Sequence, residues 1–182
     1  MTRAEQARRT RARIREVALH LFADKGYDAT SLQDIADEMG LTKPAVYYHY
    51  KGKPEILKDL TAPARHAMAD LMTRVRALPV GPERTDVLIG GLTDLAIARR
   101  DVMRIAAQQP AMRDDMHGAL GARLIADNVI EAMFGPEPTL DQRFAAYASA
   151  AVSQGVWALG DVPEDVLRGV VERALRRIAA VR

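Results

Sequence analysis

A chain of 182 residues has room for one medium domain or two small ones sharing a core. Its 48% hydrophobic and 27% charged residues describe a folded protein rather than a disordered one, and with no cysteine, disulfides and thiolate metal sites are excluded. No apolar run approaches the roughly 20 residues of a membrane span. The N-terminus carries charge but no apolar signal core, so the expected location is the cytoplasm, with no membrane partner. The net charge of +2 is unevenly spread: residues 1–60 hold 11 Lys/Arg against 9 Asp/Glu, and residues 61–182 hold 15 of each. Arg3, Arg8, Arg9, Arg11, Arg13 and Arg15 face only Glu5 at the start of the chain, and every lysine precedes residue 60. A basic arm of this kind suits phosphate contact, although a solvated helix end accounts for any single arginine equally simply.

The first predicted helix runs from about Glu5 to Asp24, with Ile14, Val17, Ala18, Leu21 and Phe22 on one apolar face. After Gly26-Tyr27, Thr30 is placed as a helix cap with Gln33 three residues later to close a capping box. Leu32, Ile35, Ala36 and Met39 recur at helical spacing, and Gly40 stops that helix in the left-handed conformation. Leu41 fills the corner, Thr42 caps a third short helix, and Pro44 stands in its first turn, where a missing N–H is harmless. Two short helices joined by such a turn make a helix-turn-helix, which lays its second helix in the DNA major groove. Lys43, Tyr47, Tyr48, His49, Lys51 and Lys53 are too polar and aromatic for a buried helix, while Val46 and Tyr50 suffice to anchor it.

A fourth helix starts near Lys53 and continues to Leu78, with Pro63 expected to kink or break it. Pro79-Val80-Gly81-Pro82 reads as a linker, followed by helices over 83–98 and 101–108. A break at Pro110 precedes a helix from about Asp114 to Phe134, and Gly135-Pro136-Glu137-Pro138 is a second firm break. Thr139 caps a helix over 140–159, and Gly160-Asp161-Val162-Pro163 divides it from the last, over 164–181. The prediction is an all-α chain with two parts. Residues 1–52 form a three-helix DNA-binding domain, and residues 53–182 form a second helical domain.

From Gly26 to Leu57 the sequence strongly resembles the DNA-binding domain of TetR-family transcriptional regulators. The likeness rests on Gly26-Tyr27, Thr30-Ser31, Asp34-Ile35-Ala36, Gly40-Leu41-Thr42, Tyr47-Tyr48-His49-Tyr50, Lys51-x-Lys53 and Ile56-Leu57. It covers residues 8–60 and does not extend through 61–182. Tyr50 stands where that family often has phenylalanine, and Pro54 where an acidic residue is common.

Candidate contacts follow residue by residue. Thr30 and Thr42 sit at helix N-termini, where hydroxyls and free N–H groups suit a phosphate oxygen or simple capping. Lys43 is placed to hydrogen-bond guanine, and Pro44 and Ala45 to touch a thymine methyl. Gln33 reaches a base or completes the capping box. The resemblance implies contact roles for Tyr47, Tyr48 and His49, and a phosphate contact for Lys53.

The resemblance also implies a homodimer, a pseudo-palindromic operator and a small-molecule effector. Tyr147, Ala151, Gly155, Val170, Ala174 and Ile178 lie on the two C-terminal helices that would pair between chains, and they serve equally to close the core of one chain. Met68, Met72, Met103 and Met116, with Tyr147 and Trp157, are candidate pocket residues, although methionine at helical spacing also builds ordinary core. No metal or cofactor is expected. His66 and His117 are isolated, and only Asp114, Asp115 and His117 offer an enzyme reading a start. The chain has no nucleophile motif, phosphate loop or His-Glu-x-x-His pair to support one. An effector-free repressor or architectural DNA-binding protein is the alternative.

Overall fold

The computed structural model describes residues 2–107, 110–112, 114, 115, 122–159 and 162–181. Among them every regular element is a helix: α1 (Arg3–Asp24), α2 (Leu32–Glu38), α3 (Lys43–His49), α4 (Lys53–Arg76), α5 (Pro82–Ala98), α6 (Arg100–Ala107), α7 (Ala122–Phe134), α8 (Leu140–Ala158) and α9 (Glu164–Ala179). The all-α expectation holds. Of the helix predicted over 114–134, the described part is 114, 115 and α7; residues 116–121 lie outside the described residues.

Pro63 does not break α4, which runs through it over 24 residues. The proline ring leaves the carbonyl of Asp59 without its usual helical donor, a local loss that the helix absorbs. The chain divides into two compact units close to this proline, one of Met1–Pro63 with Ile105–Leu120, the other of Ala64–Arg104 with Gly121–Arg182.

In the first unit α1 packs on α2 and α2 on α3. Ile14, Ala18, Phe22, Tyr27, Ile35, Ala36, Val46, Tyr50, Ile56 and Leu57 are all buried, so the apolar stripe expected on α1 is the one that closes the core. Phe22 and Tyr27 meet edge to face with centroids 4.8 Å apart. Truncating any of the large residues in this set costs about 2–5 kcal/mol.

In the second unit α9 packs against α8 and α5, and α7 against α8 and α5. Leu71, Met72, Val75, Leu88, Leu95, Val129, Ala132 and Met133 form one apolar cluster; Ile89, Val156, Leu167, Val171 and Leu175 form another. At Gly91, α5 lies close against α4. A Cβ there would lie 2.2 Å from Leu71 Cδ1 and 2.9 Å from Leu71 Cγ. Thr139 caps α8 as expected, bonding the Gln142 N–H while Gln142 returns a bond to the Thr139 N–H.

Candidate nucleic-acid interface

The turn between α2 and α3 is set by backbone geometry. Gly40 takes φ +64, Leu41 N–H donates to Ala36 O at 2.8 Å, and Gly40 N–H donates to Asp37 O at 3.1 Å. These are the two bonds of a Schellman motif, which satisfies carbonyls at the end of α2 and turns the chain sharply. Thr42 then caps α3 by position only, for its hydroxyl makes no capping bond and the residue is exposed. Pro44 occupies the first turn of α3, as predicted.

The seven residues of α3 separate cleanly by face. Val46 is fully buried against the core, and Tyr50 directly after the helix is buried too. Thr42, Lys43 and Pro44 are exposed, Tyr47 is 48% exposed and Tyr48 73%, while Ala45 and His49 are half-buried. A large aromatic left that far in water gains little from folding, so Tyr48 contributes a surface rather than a core. Its ring meets His49 edge to face at 5.3 Å. Partial burial, and then the charge of Arg11, push the His49 imidazole below its ordinary value and favour the neutral ring.

Three residues from three elements hold α3 in place. The Tyr50 hydroxyl donates to Asp59 Oδ2 at 2.6 Å on α4, and Arg11 Nε on α1 donates to the same oxygen at 2.7 Å. Arg11 also lies over the Tyr50 ring at 4.6 Å, and Arg15 stands 3.6 Å from Asp59. Burial pushes the Asp59 carboxyl up, but its bonds from Arg11 and Tyr50 outweigh this and hold it below the usual carboxylate range. Burial and the Asp59 bond push the Tyr50 hydroxyl well up, so it stays protonated as the donor. Tyr50 was expected in the core, and it is there. The Arg11–Asp59 pair was not anticipated, since 48 residues separate the partners; the one hint is a buried tyrosine whose hydroxyl needs a partner.

Two assignments from sequence need correction. The capping box of α2 is formed by Ser31 and Asp34, not by Thr30 and Gln33: Ser31 Oγ accepts from Asp34 N–H, and Asp34 Oδ2 accepts from Ser31 N–H at 2.8 Å. Asp34 is also paired with Lys25, whose bond is the main cause holding its carboxyl well below the ordinary range; bonds from Ser31 add to it. Thr30 is buried, with its hydroxyl donating to Gly26 O at 2.7 Å, so no side chain is presented there to a phosphate. Gln33, freed from capping, donates instead to Asp37 Oδ1 at 2.7 Å on an exposed part of α2.

Lys53 is turned inward. Its ammonium donates to Tyr27 O at 2.5 Å and Asp28 O at 3.3 Å, and lies over the Tyr27 ring at 4.5 Å. Lys51, in contrast, sits beside the recognition surface, donating to Tyr47 O at 2.9 Å with its charge 4.4 Å from the Tyr47 ring centre. The Tyr27 hydroxyl donates to Asp115 Oδ2 at 2.6 Å, which gives one carboxylate of the Asp114, Asp115 and His117 group a structural partner. Asp114 is exposed, and His117 lies outside the described residues.

Of the six pocket candidates, the side chains of Met68, Met72, Met103 and Tyr147 are described. Met72 and Met103 are buried, Met68 packs beside the first apolar cluster of the second unit, and Tyr147 is 46% exposed with its hydroxyl 3.4 Å from Asp127 Oδ1. Met116 lies outside the described residues, as do the side chains of Trp157 and Ala151. An open cleft of about 330 Å³ between α7 and α8 is lined by Asp127, Ile130, Glu131, Gly135, Pro136, Pro138 and Arg143, none of them a predicted pocket residue. Among the described residues no three His, Cys, Asp or Glu side chains cluster as a metal site, and no helix is long and apolar enough to cross a membrane.

This arrangement has close counterparts. The profile described as "Bacterial regulatory proteins, tetR family" matches residues 14–60, the segment that carries α2, the turn, α3 and the Tyr50–Asp59 contact. The uncharacterized HTH-type transcriptional regulator TtgW of Pseudomonas putida is 38% identical over 65 residues, which are 36% of this chain and 48% of that protein. The chain matches about half or less of the length of such curated relatives. Two solved structures extend the likeness in fold. PfmR of Thermus thermophilus superposes with TM-score 0.63 at 22% identity, covering 90% of this chain and 94% of that one. Thermus thermophilus FadR, described as a transcriptional repressor in complex with lauroyl-CoA, gives TM-score 0.54 at 19% identity, covering 94% and 95%. The helix-turn-helix segment, residues 14–60, thus matches the tetR family of bacterial regulatory proteins, and over the rest of the chain the likeness to TetR-family structures is one of fold.

Proposed function

We propose that this protein is a homodimeric, sequence-specific DNA-binding repressor released from its operator by a small molecule. The observation that carries the reading is the outward face of α3, where Thr42, Lys43, Pro44, Tyr47 and Tyr48 are exposed while Val46 and Tyr50 anchor the helix from behind. Lys43, Pro44 and Ala45, at the leading end, meet base edges. Tyr47, Tyr48 and His49 divide between bases and phosphate, and Thr42, with an unused hydroxyl, takes a phosphate. Gln33 on α2 reaches the flank. Lys53 contacts phosphate only by leaving Tyr27 O, whereas Lys51 already stands beside Tyr47 and joins the contact set. Thr30 contributes through its backbone or not at all. DNA binding is thus assigned to residues 1–52 supported by the start of α4, and effector binding and dimerisation to residues 53–182.

Dimerisation is supported by the surface of α8 and α9. Leu140, Phe144 and Tyr147 recur at i, i+4, i+7 on α8 and are 79%, 75% and 46% exposed; Val166 and Val170 repeat at i, i+4 on α9. A Cβ at Gly155 would meet nothing within 4 Å, which leaves room for close approach by a second chain. Ala174 is half-buried, and Ile178 packs against the chain's own core, so the interface centres on Tyr147 and Val170 and only borders Ile178. The two-fold dimer sets two α3 helices one turn of DNA, about 34–36 Å, or a multiple of it apart over a pseudo-palindrome.

Release follows if effector binds a state in which that spacing is wrong. A 100-fold change in operator affinity requires about 2.7 kcal/mol of difference in effector affinity between the two states. The FadR structure with lauroyl-CoA is the support from a similar fold. The effector-free repressor is the second reading, and the burial of Met72 and Met103 in core positions favours it. Fluorescence anisotropy with a selected operator separates the two: a small molecule that releases the DNA sustains the first, and release by none across a broad metabolite panel sustains the second.

A further inference from the structure

The second unit carries two consecutive guanidinium groups at the corner where α5 passes directly into α6. Arg99 is the single residue between the helices, its carbonyl accepting the Met103 N–H at 3.0 Å, and Arg100 opens α6. Both side chains are half-buried. Among the described residues, Arg100 Nη1 is enclosed without a hydrogen-bond partner, and Arg99 Nη2 meets the weak acceptor Met103 Sδ at 3.5 Å. The described ion pairs of this unit join Arg76 to Glu131, Arg168 to Asp94 and Glu164, and Arg176 to Asp86, leaving Arg99 and Arg100 out.

Removing a cation from water is costly unless an opposite charge meets it, and an enclosed guanidinium N–H left unbonded adds to that cost. Burial alone lowers the Arg99 pKa from its usual value, the sign expected of a cation lacking a counter-charge. Leu95, Ile97 and Met103 are buried along the same stretch of chain. The forked donors of each guanidinium match the planar, bidentate geometry of a carboxylate or phosphate.

We infer that the effector is an organic anion, a carboxylate or phosphate ester, whose charged end is bound by Arg99 and Arg100 at the α5–α6 corner. This rests on the reading that the second unit binds an effector, and it narrows the chemistry of that ligand. Arg84 also encloses an unpartnered Nε, but it stands 15 residues earlier on α5, roughly 22 Å along the helix, with no second arginine beside it; it is the control.

The test is thermal unfolding of the full chain as wild type, Arg99→Met/Arg100→Met, Arg100→Met alone and Arg84→Met, with inorganic phosphate, octanoate and neutral octan-1-ol. Methionine keeps the length and helix preference of arginine without its charge, and the single variant serves if the double variant does not fold. Without anion, the variants at the corner melt at or above wild type, because an unpaired cation is removed. A saturating anion raises the wild-type Tm by about 5–10 °C at 100-fold excess over its Kd. That rise is seen in Arg84→Met and absent from the corner variants, and octan-1-ol moves all four proteins alike. Parallel rises in every protein with both anions mean a solvent effect only and overturn the site. A clear fall in the Tm of Arg100→Met without anion also overturns it. Operator binding measured on the same proteins keeps the two readings apart. DNA released by neutral compounds alone retains the regulator and removes the anion site, whereas absence of DNA binding removes the regulator whatever the anions do.

Discussion

Asp59→Ala removes the carboxylate on which α1, α3 and α4 converge, and its effect can be worked from the contacts. Two charge-assisted bonds are lost, from Tyr50 at 2.6 Å and from Arg11 at 2.7 Å. The Arg11 side chain is 46% exposed, so water rehydrates it and its share is at most about 1 kcal/mol. Tyr50 is fully buried as a residue, and its hydroxyl keeps only a long 3.5 Å contact to Arg11 O, a penalty of about 1–3 kcal/mol. The expected loss is therefore about 1–4 kcal/mol. Tyr50→Phe leaves Asp59 with both arginines and partial access to water, and costs about 0.5–1.5 kcal/mol. Once Asp59 is alanine, Tyr50→Phe removes an orphaned hydroxyl and is neutral or stabilising. A double-mutant cycle by urea unfolding should then give a coupling of about 1–2 kcal/mol between the two positions. Costs that add within about 0.3 kcal/mol would show that the hydroxyl and carboxylate do not act together, and the account of how α3 is held would fail.

Other consequences follow from single residues. Gly91→Ala forces Leu71 out of its core rotamer, and after a helix-propensity gain of up to about 1 kcal/mol it lowers stability by about 1–2 kcal/mol in denaturant titration. Gly40→Ala meets no neighbouring atom, so its cost of about 1–2 kcal/mol comes only from φ +64, and a urea midpoint equal to wild type would contradict that backbone requirement. Asp34 and Asp59 both have depressed folded pKa values, so their stabilisation is complete above the ordinary carboxylate pKa of about 4 and lost as pH falls through the lower folded values. Asp59→Asn should flatten part of that acid-induced loss in melts taken between pH 7 and 2. Tyr47→Phe, at an exposed hydroxyl, should weaken operator binding with no fall in Tm; unchanged binding would remove Tyr47 from the contact set.

The helix-turn-helix is legible in sequence because its signals are local: a glycine at positive φ, a proline in a first turn, apolar residues three and four apart. Where two local signals overlap, the pattern alone cannot choose between them. Thr30-x-x-Gln33 and Ser31-x-x-Asp34 both satisfy the capping-box spacing, and the decision falls to Ser31 because Thr30 is drawn into the core by Gly26 O. Contacts over long separations carry no such signal, and so Arg11–Asp59, Lys53 on Tyr27 O and Tyr27–Asp115 appear only in the structure. At Pro63 the break does not occur, because one lost helical bond is small against the packing of a 24-residue helix. The methionines show the same limit, since the spacing that suits a pocket wall also suits core, and Met72 and Met103 are buried.

The central claim is tested most directly by an anisotropy titration of the intact protein against DNA flanking its own gene, at two salt concentrations and with nonspecific competitor. The account predicts saturable binding that survives competitor, one dimer to a pseudo-palindromic site, weakened by added salt but not abolished. A duplex selected from random sequence extends the test if the flanking DNA lacks the site. Binding that competitor removes and salt erases on both DNAs would contradict sequence-specific recognition by α3, and would leave only a basic surface that associates with nucleic acid.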